Sequence, residues 1–204
     1  MRYFFSSVLC AALLAGCYAS SMAQAFKPKP LGQTSIAVSF YGNFPSSSSN
    51  NRAIQTPAHA PGWLIEMRHI SNPWMGYEIN LSGNGADQHY MEDVGYLQTV
   101  KAHATEAGAD WVVSMPLGEL RPFANAGVGL IFFRPSGDQP LATSKTKPAF
   151  QYAAGADWNF SSHLGLRFQF RGALYHAPAL AKPVVDTHEL IEAAQPTIGA
   201  FYYF

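Results

Sequence analysis

Beyond residue 33 the chain repeatedly alternates apolar and polar positions with a period of two, the pattern of strands whose two faces meet different surroundings. The longest example covers 149–175. Its first half sets Phe150, Tyr152, Ala154, Ala156, Trp158 and Phe160 against Gln151, Ala153, Gly155, Asp157 and Asn159. After a break at Ser161, Ser162 and His163 the alternation resumes, with Leu164, Leu166, Phe168, Phe170 and Leu174 opposite Gly165, Arg167, Gln169, Arg171 and Tyr175. Two such runs with a tight connection predict a hairpin.

The same pattern predicts a first strand with Thr34, Ile36, Val38 and Phe40 against Ser35, Ala37, Ser39 and Tyr41. A second sets Trp63, Ile65 and Met67 against Leu64, Glu66 and Arg68, and stops at Ser71, Asn72 and Pro73. In the third, Tyr77, Ile79 and Leu81 oppose Gly76, Glu78, Asn80 and Ser82; in the fourth, regular from Thr105, Ala107, Ala109, Trp111, Val113 and Met115 oppose Glu106, Gly108, Asp110 and Ser114. The fifth, 120–133, opposes Ala124, Ala126, Val128, Leu130 and Phe132 to Arg121, Asn125, Gly127 and Gly129. The hairpin supplies the sixth and seventh, and Pro196, Ile198, Ala200, Tyr202 and Phe204 mark an eighth. The stretches 45–61, 83–93, 134–148 and 176–193 are polar or rich in proline and predict long loops, although 189–194 also fits a short helical turn. About eight strands, joined alternately by long and short connections, predict an all-β fold: a closed antiparallel transmembrane β-barrel with up-and-down meander topology.

Alternation alone does not separate a barrel in lipid from a soluble cup with a greasy interior. The contents of the two faces do. The polar phase collects Glu66, Arg68, Glu78, Glu106, Asp110, Arg121, Asp157, Arg167 and Arg171, mixed in sign and interleaved with glycine. A narrow lumen needs small residues, and buried charges need partners of opposite sign. The apolar phase holds Trp63, Tyr77, Trp111, Phe132, Phe150, Tyr152, Trp158, Phe160, Tyr202 and Phe204, many near strand ends where an aromatic girdle sits. Reversing the faces would place several arginines in hydrocarbon at about 2–4 kcal/mol each near the midplane. The apolar phase is therefore expected to face lipid.

Composition adds limits. With 204 residues the chain suits one domain, and 13 basic against 13 acidic residues leave no basic stripe for nucleic acid. Past the N-terminus no apolar run is long enough for a spanning helix. Residues 1–25 read as a secretion signal: Arg2, an apolar stretch, then the small-x-small site Ala23, Gln24, Ala25; residues 26–204 form the barrel domain. Leu14, Ala15, Gly16 and Cys17 offer a competing lipobox-like site. Cleavage after Ala25 removes both cysteines, Cys10 and Cys17, so no disulfide is expected.

The hairpin of 149–175, the 121–129 run RPFANAGVG and the terminal Tyr202-x-Phe204 resemble the small outer-membrane β-barrels of OmpA/OmpX type over essentially the whole chain after the signal. The resemblance implies location in the bacterial outer membrane after export, contact with outer-membrane lipid, and a monomer. It also implies that Ile198, Ala200, Tyr202 and Phe204 act as the C-terminal signal read by the barrel-assembly machinery. Members include structural barrels, adhesins and a few enzymes, so the likeness speaks to architecture more than activity.

Candidate chemistry is sparse. The inward charges suit either a sealed network or an ion path through exchangeable pairs. His59, His69, His89, His103, His163, His176 and His188 are scattered without metal-ligand spacing, so neither metal nor cofactor is expected. Ser161, Ser162 and His163 adjoin as in a hydrolytic set, as in barrel enzymes acting on lipid A, but they read as a turn. The expectation is a non-enzymatic envelope barrel, with the loops at 46–51 and 135–148 available for recognition. A lipocalin-like binder, soluble or lipid-anchored, and an enzyme of outer-leaflet lipid are the rivals.

Overall fold

The computed structural model describes residues 33–49, 53–92, 97–137, 139, 141–181 and 189–204. The signal reading at 1–25, both cysteines and His188 lie outside the described residues. Among the described residues the strands in chain order are β1 (Gln33–Pro45), β2 (Ser48–Ser49), β3 (Ala53–Pro57), β4 (Ala60–Ile70), β5 (Met75–Gly85), β6 (Gln88–Glu92), β7 (Leu97–Val100), β8 (Ala102–Ser114), β9 (Leu120–Pro135), β10 (Lys145–Asn159), β11 (Leu164–His176) and β12 (Leu190–Tyr203).

Eight of these strands, β1, β4, β5, β8, β9, β10, β11 and β12, form a closed antiparallel barrel in which each pairs with its predecessor and successor. Closure is made by β1, which pairs with β4 on one side and with β12 on the other, Val38 lying opposite Ile65 and Ala200. One end carries the tight turns. Asn72 Oδ1 accepts the N–H groups of Trp74 and Met75 at 3.0 and 2.9 Å, closing the β4–β5 turn. Gly118 takes φ of 69° in the β8–β9 turn, a conformation other residues rarely adopt.

At the other end, two long excursions pair into a second sheet of order β2-β3-β6-β7. This corrects the expectation of unstructured loops over 45–61 and 83–93. Ser48 pairs with Gln55, and Ala53 through Pro57 pair with Glu92 through Gln88. The sheet stands clear of the hydrocarbon, with one face placing Tyr90 and Val100 over the barrel mouth, so no continuous apolar row is needed and polar side chains do not oppose backbone pairing. Buried Gln55 and Gln88 bond to each other at 2.9 Å. The option of a helical turn at 189–194 is also corrected: the segment is extended, because β11 and β1 both offer it hydrogen bonds, with Glu192 opposite Leu174 and Ala193 opposite Pro45. Several strands overrun their expected limits. β9 has 16 residues and β10 has 15, against about 9–11 needed to cross the hydrocarbon. The overhang lies outside lipid, where the apolar alternation fades.

The phase follows the expectation from face content. Trp111, Phe168 and Tyr202 are 69%, 44% and 45% exposed on the outer wall, whereas Arg167 and Asp157 are wholly buried in the lumen. A lipocalin-like cup requires the reverse, so that rival is excluded. Glycines make room inside: a Cβ at Gly108 or Gly129 would collide with the Gln151 amide, which occupies the space they leave.

The outer wall has a direct test. Val128, at mid-strand on β9 and 67% exposed, faces the expected midplane. Val128→Arg is expected to lower folding stability in phosphatidylcholine bilayers by about 2–4 kcal/mol, and Thr146→Arg near the outer rim by about 0–1. Equal costs in a urea titration would contradict the assigned depth.

Candidate functional site

The lumen is the one place where the fold gathers chemistry from every barrel strand, and it is layered. Nearest the tight turns, Ile70, Val112 and Phe123 form one small cluster and Ala37, Phe201 and Tyr203 another. The charged belt lies above them, apart from Arg121, which precedes Phe123 on β9 and lies nearer the tight turn. Period-two alternation carries Glu66 and Arg68 inward from β4, Glu78 from β5, Glu106 and Asp110 from β8, Arg121 from β9, Asp157 from β10, and Arg167 and Arg171 from β11; all are buried.

Two networks organise the belt. In the first, Arg167 grips Asp157 with two donors, Nε to Oδ1 at 2.8 Å and Nη2 to Oδ2 at 3.0 Å, while its Nη1 reaches Glu78 and Glu66 at 3.3 Å. Arg68 donates to Glu78 at 2.7 Å and to Asp157 at 3.2 Å. The planar fork of each guanidinium lets it hold more than one carboxylate. Gln169 and Asn125 donate to the remaining oxygens of Glu66 and Glu78 at 2.7 and 3.1 Å. Below, Arg68 lies 3.9 Å above the Phe123 ring centroid, and Arg167 lies between Phe123 and Phe201. These aromatic faces supply negative potential where no carboxylate fits.

The second network is mostly amide. Arg171 pairs with Glu106 at 3.1 Å and donates to Gln195 at 3.1 Å; Gln195 in turn donates to Asn43 at 3.2 Å. Gln151 donates to Glu106 at 2.7 Å, and Asn80 donates to Gln151 and to Asp110 at 3.0 and 2.9 Å. Asp110 is thus held through an amide rather than an arginine. Arg121 is buried across from Asp157 on β9, but among the described residues it forms no ion pair.

Toward the outer end the lumen turns apolar. Ala102, Ala104, Ile131, Phe133, Ala149, Ala173, Tyr175, Ile191 and Ala193 pack against Tyr90, Val100, Ala177, Leu180 and Ala181 from the outer structures. Tyr90 Oη donates to Pro178 O at 3.1 Å and accepts the Leu180 N–H at 3.0 Å, tying the segment after β11 beneath the second sheet. A cavity of about 20 Å³ remains beside Asn43, Glu106, Tyr175 and Gln195, room for about one water.

The other candidates remain apart from the lumen. Ser162 Oγ lies 2.8 Å from His163 Nδ1 in the exposed β10–β11 turn, and the imidazole stacks on Tyr202, with no carboxylate joined to the pair among the described residues. His69 bonds Thr34 and His89 bonds Thr99. Among the described residues no three His, Cys, Asp or Glu side chains could share a metal ion. Ile198, Ala200, Tyr202 and Phe204 lie along the outer face of the last strand and its end. Sequence reasoning sets Asn125 and Gln169 on the polar phase without a role in the network, and passes over Asn43, Gln195, Phe123 and Phe201. Their signal was phase: each falls in register with the charges.

A family model described as outer membrane protein beta-barrel domain matches residues 9–204. A search of the curated proteins finds no match. Among solved structures the chain is similar to the outer membrane protein OprG from Pseudomonas aeruginosa, with TM-score 0.63 and 11% identity over 85% of this chain and 96% of that one. Neisserial surface protein A is similar with TM-score 0.61 and 12% identity, covering 84% and 97%. AlkL, determined in lipid bilayers, gives TM-score 0.53 and 15% identity, covering 90% and 97%. At these identities the likeness concerns fold.

The two networks make unequal demands. Arg167→Met leaves Glu78 and Asp157 to Arg68 alone and Glu66 with no cationic partner among the described residues, and is expected to cost about 3–5 kcal/mol in urea unfolding from micelles, whereas Asp110→Asn, which breaks no ion pair, is expected to cost under about 1 kcal/mol. A similar loss for both would contradict the division into an ionic and an amide network.

Proposed function

The chain belongs to the outer membrane protein beta-barrel domain family, and we propose that in the bacterial outer membrane it serves as a sealed structural wall element whose lumen is plugged by its own charges. The observation that carries this reading is Arg167, held by three carboxylates. Its guanidinium is wholly buried and in contact with Asp157, Glu66 and Glu78, which arrive from three different strands. Moving it aside to admit an ion would strip charge-assisted bonds inside a low-dielectric interior, which is costly. An eight-stranded barrel is just wide enough for side chains to fill, and the apolar packing under the second sheet adds a second obstruction at the outer mouth.

On this reading the protein contributes envelope structure rather than turning over a substrate, and it works as a monomer, since its lipid-facing wall is complete without a second copy. The extended last strand, with Ile198, Ala200, Tyr202 and Phe204 in one phase, fits recognition by the barrel-assembly machinery. The sheet of β2, β3, β6 and β7 is the natural platform for any surface recognition, because it stands on a rigid barrel.

Planar-bilayer recording tests the plug. The refolded protein is expected to pass little or no steady current, and large, stable, voltage-insensitive openings would overturn the sealed lumen.

A further inference from the structure

At the outer rim of β8, β9 and β10 the lipid-facing phase turns from apolar to basic. Across β8, β9 and β10, the row Ala107, Leu130, Pro148 is followed outward by Thr105, Phe132, Thr146, and beyond them His103 stands directly opposite Arg134. Both side chains are exposed and share the outward phase of Trp111 and Val128. Two residues along a strand add about 7 Å, which takes this pair just past the last apolar row, to headgroup depth. Lys101, also exposed, follows two residues further out. Lys145 and Lys147 add positive charge from the other face of the same rim.

Among the described residues nothing nearby neutralises the group. Among the described residues no ion pair involves Lys101, His103 or Arg134. Asp87, between β5 and β6, accepts the Ala102 N–H at 3.0 Å. Of the described rim acids, Glu192 on β12 receives the Tyr152 hydroxyl, and Glu189 takes the Ser49 N–H. Arg134 on β9 and Lys101 just before β8 are like charges, which disfavour each other unless an anion lies between them, and His103 stands between the two with its ring nitrogens. A phosphate supplies the oxygens that a guanidinium fork matches, and the Thr105 and Thr146 hydroxyls flank the spot as further donors.

We propose that His103, Arg134 and Lys101 form a docking site for the phosphate group of an outer-leaflet lipid. The radial direction of the pair selects a lipid over a solute, because both side chains point into the headgroup layer rather than up into water. The site rests on embedding in the membrane and is independent of whether the lumen is sealed.

The protein is refolded into phosphatidylcholine liposomes alone, with bisphosphorylated lipid A, or with the same glycolipid stripped of its phosphates, and its thermal unfolding midpoint is read by heat-modifiable gel mobility. The phosphorylated lipid is expected to raise the midpoint by about 2 °C or more, the stripped lipid to leave it unchanged, and the double variant His103→Gln, Arg134→Gln to lose the shift while Glu192→Gln keeps it. Arg134→Gln alone, which is expected to weaken the shift, stands in if the double variant does not fold in phosphatidylcholine. An equal shift with stripped lipid, or an undiminished shift in the rim variants, would overturn the proposal. So would full reproduction of the effect by inorganic phosphate in solution, which would mark a site for free anions.

Discussion

Closure of β1 against β12 is the constraint from which the other features follow. A strand in hydrocarbon has no water to bond its edge, so every backbone N–H and C=O must find a partner within the sheet. The meander meets that demand only because its first and last strands also pair, with Ser35 opposite Tyr203 at one end and Pro45 opposite Ala193 at the other. Once the ring is shut with eight strands, its bore is fixed at about the width of the side chains within it. Period-two alternation then forces half of the strand residues into that bore.

What fills the bore has to be polar enough to give the wall its sidedness and paired enough to survive burial. Charges removed from water are costly unless opposite charges and hydrogen bonds replace the lost solvent. The belt meets this with two arginines shared among Glu66, Glu78 and Asp157, and with amides on the oxygens the arginines do not reach. Phe123 and Phe201 lie on the turn-side faces of the guanidinium groups and shield them from the nearer mouth. At the far mouth the barrel behaves more like a soluble protein, with an alanine-rich core under a small sheet.

How much of this was legible in the sequence depended on where lipid enforces the pattern. Within the bilayer, Phe150 against Gln151 or Phe168 against Gln169 admits only one phase, so the eight barrel strands and the inward placement of the charges could be read directly. Outside it the rule lapses. Ser48 and Gln55 pair as strands although nothing in their polarity announces it, and Leu190 through Ala194 extend because β11 and β1 flank them. Partner choice was also hidden. Arg121 and Asp110 look like Arg68 and Asp157 in the alternation, yet only the second two join the ionic network, because pairing depends on depth and on which strand lies across the bore.

The bulky apolar row meets acyl chains while the ionised row meets itself. Nuclear Overhauser spectroscopy on the protein in lipid nanodiscs measures it most directly along β11. Cross-peaks are expected from acyl methylene protons to Leu166, Phe168 and Phe170, none to Gln169, and an Arg167 Nε–H shielded from both lipid and water exchange. Lipid cross-peaks at Arg167 and Gln169, with rapid water exchange at the phenylalanine positions, would contradict the account.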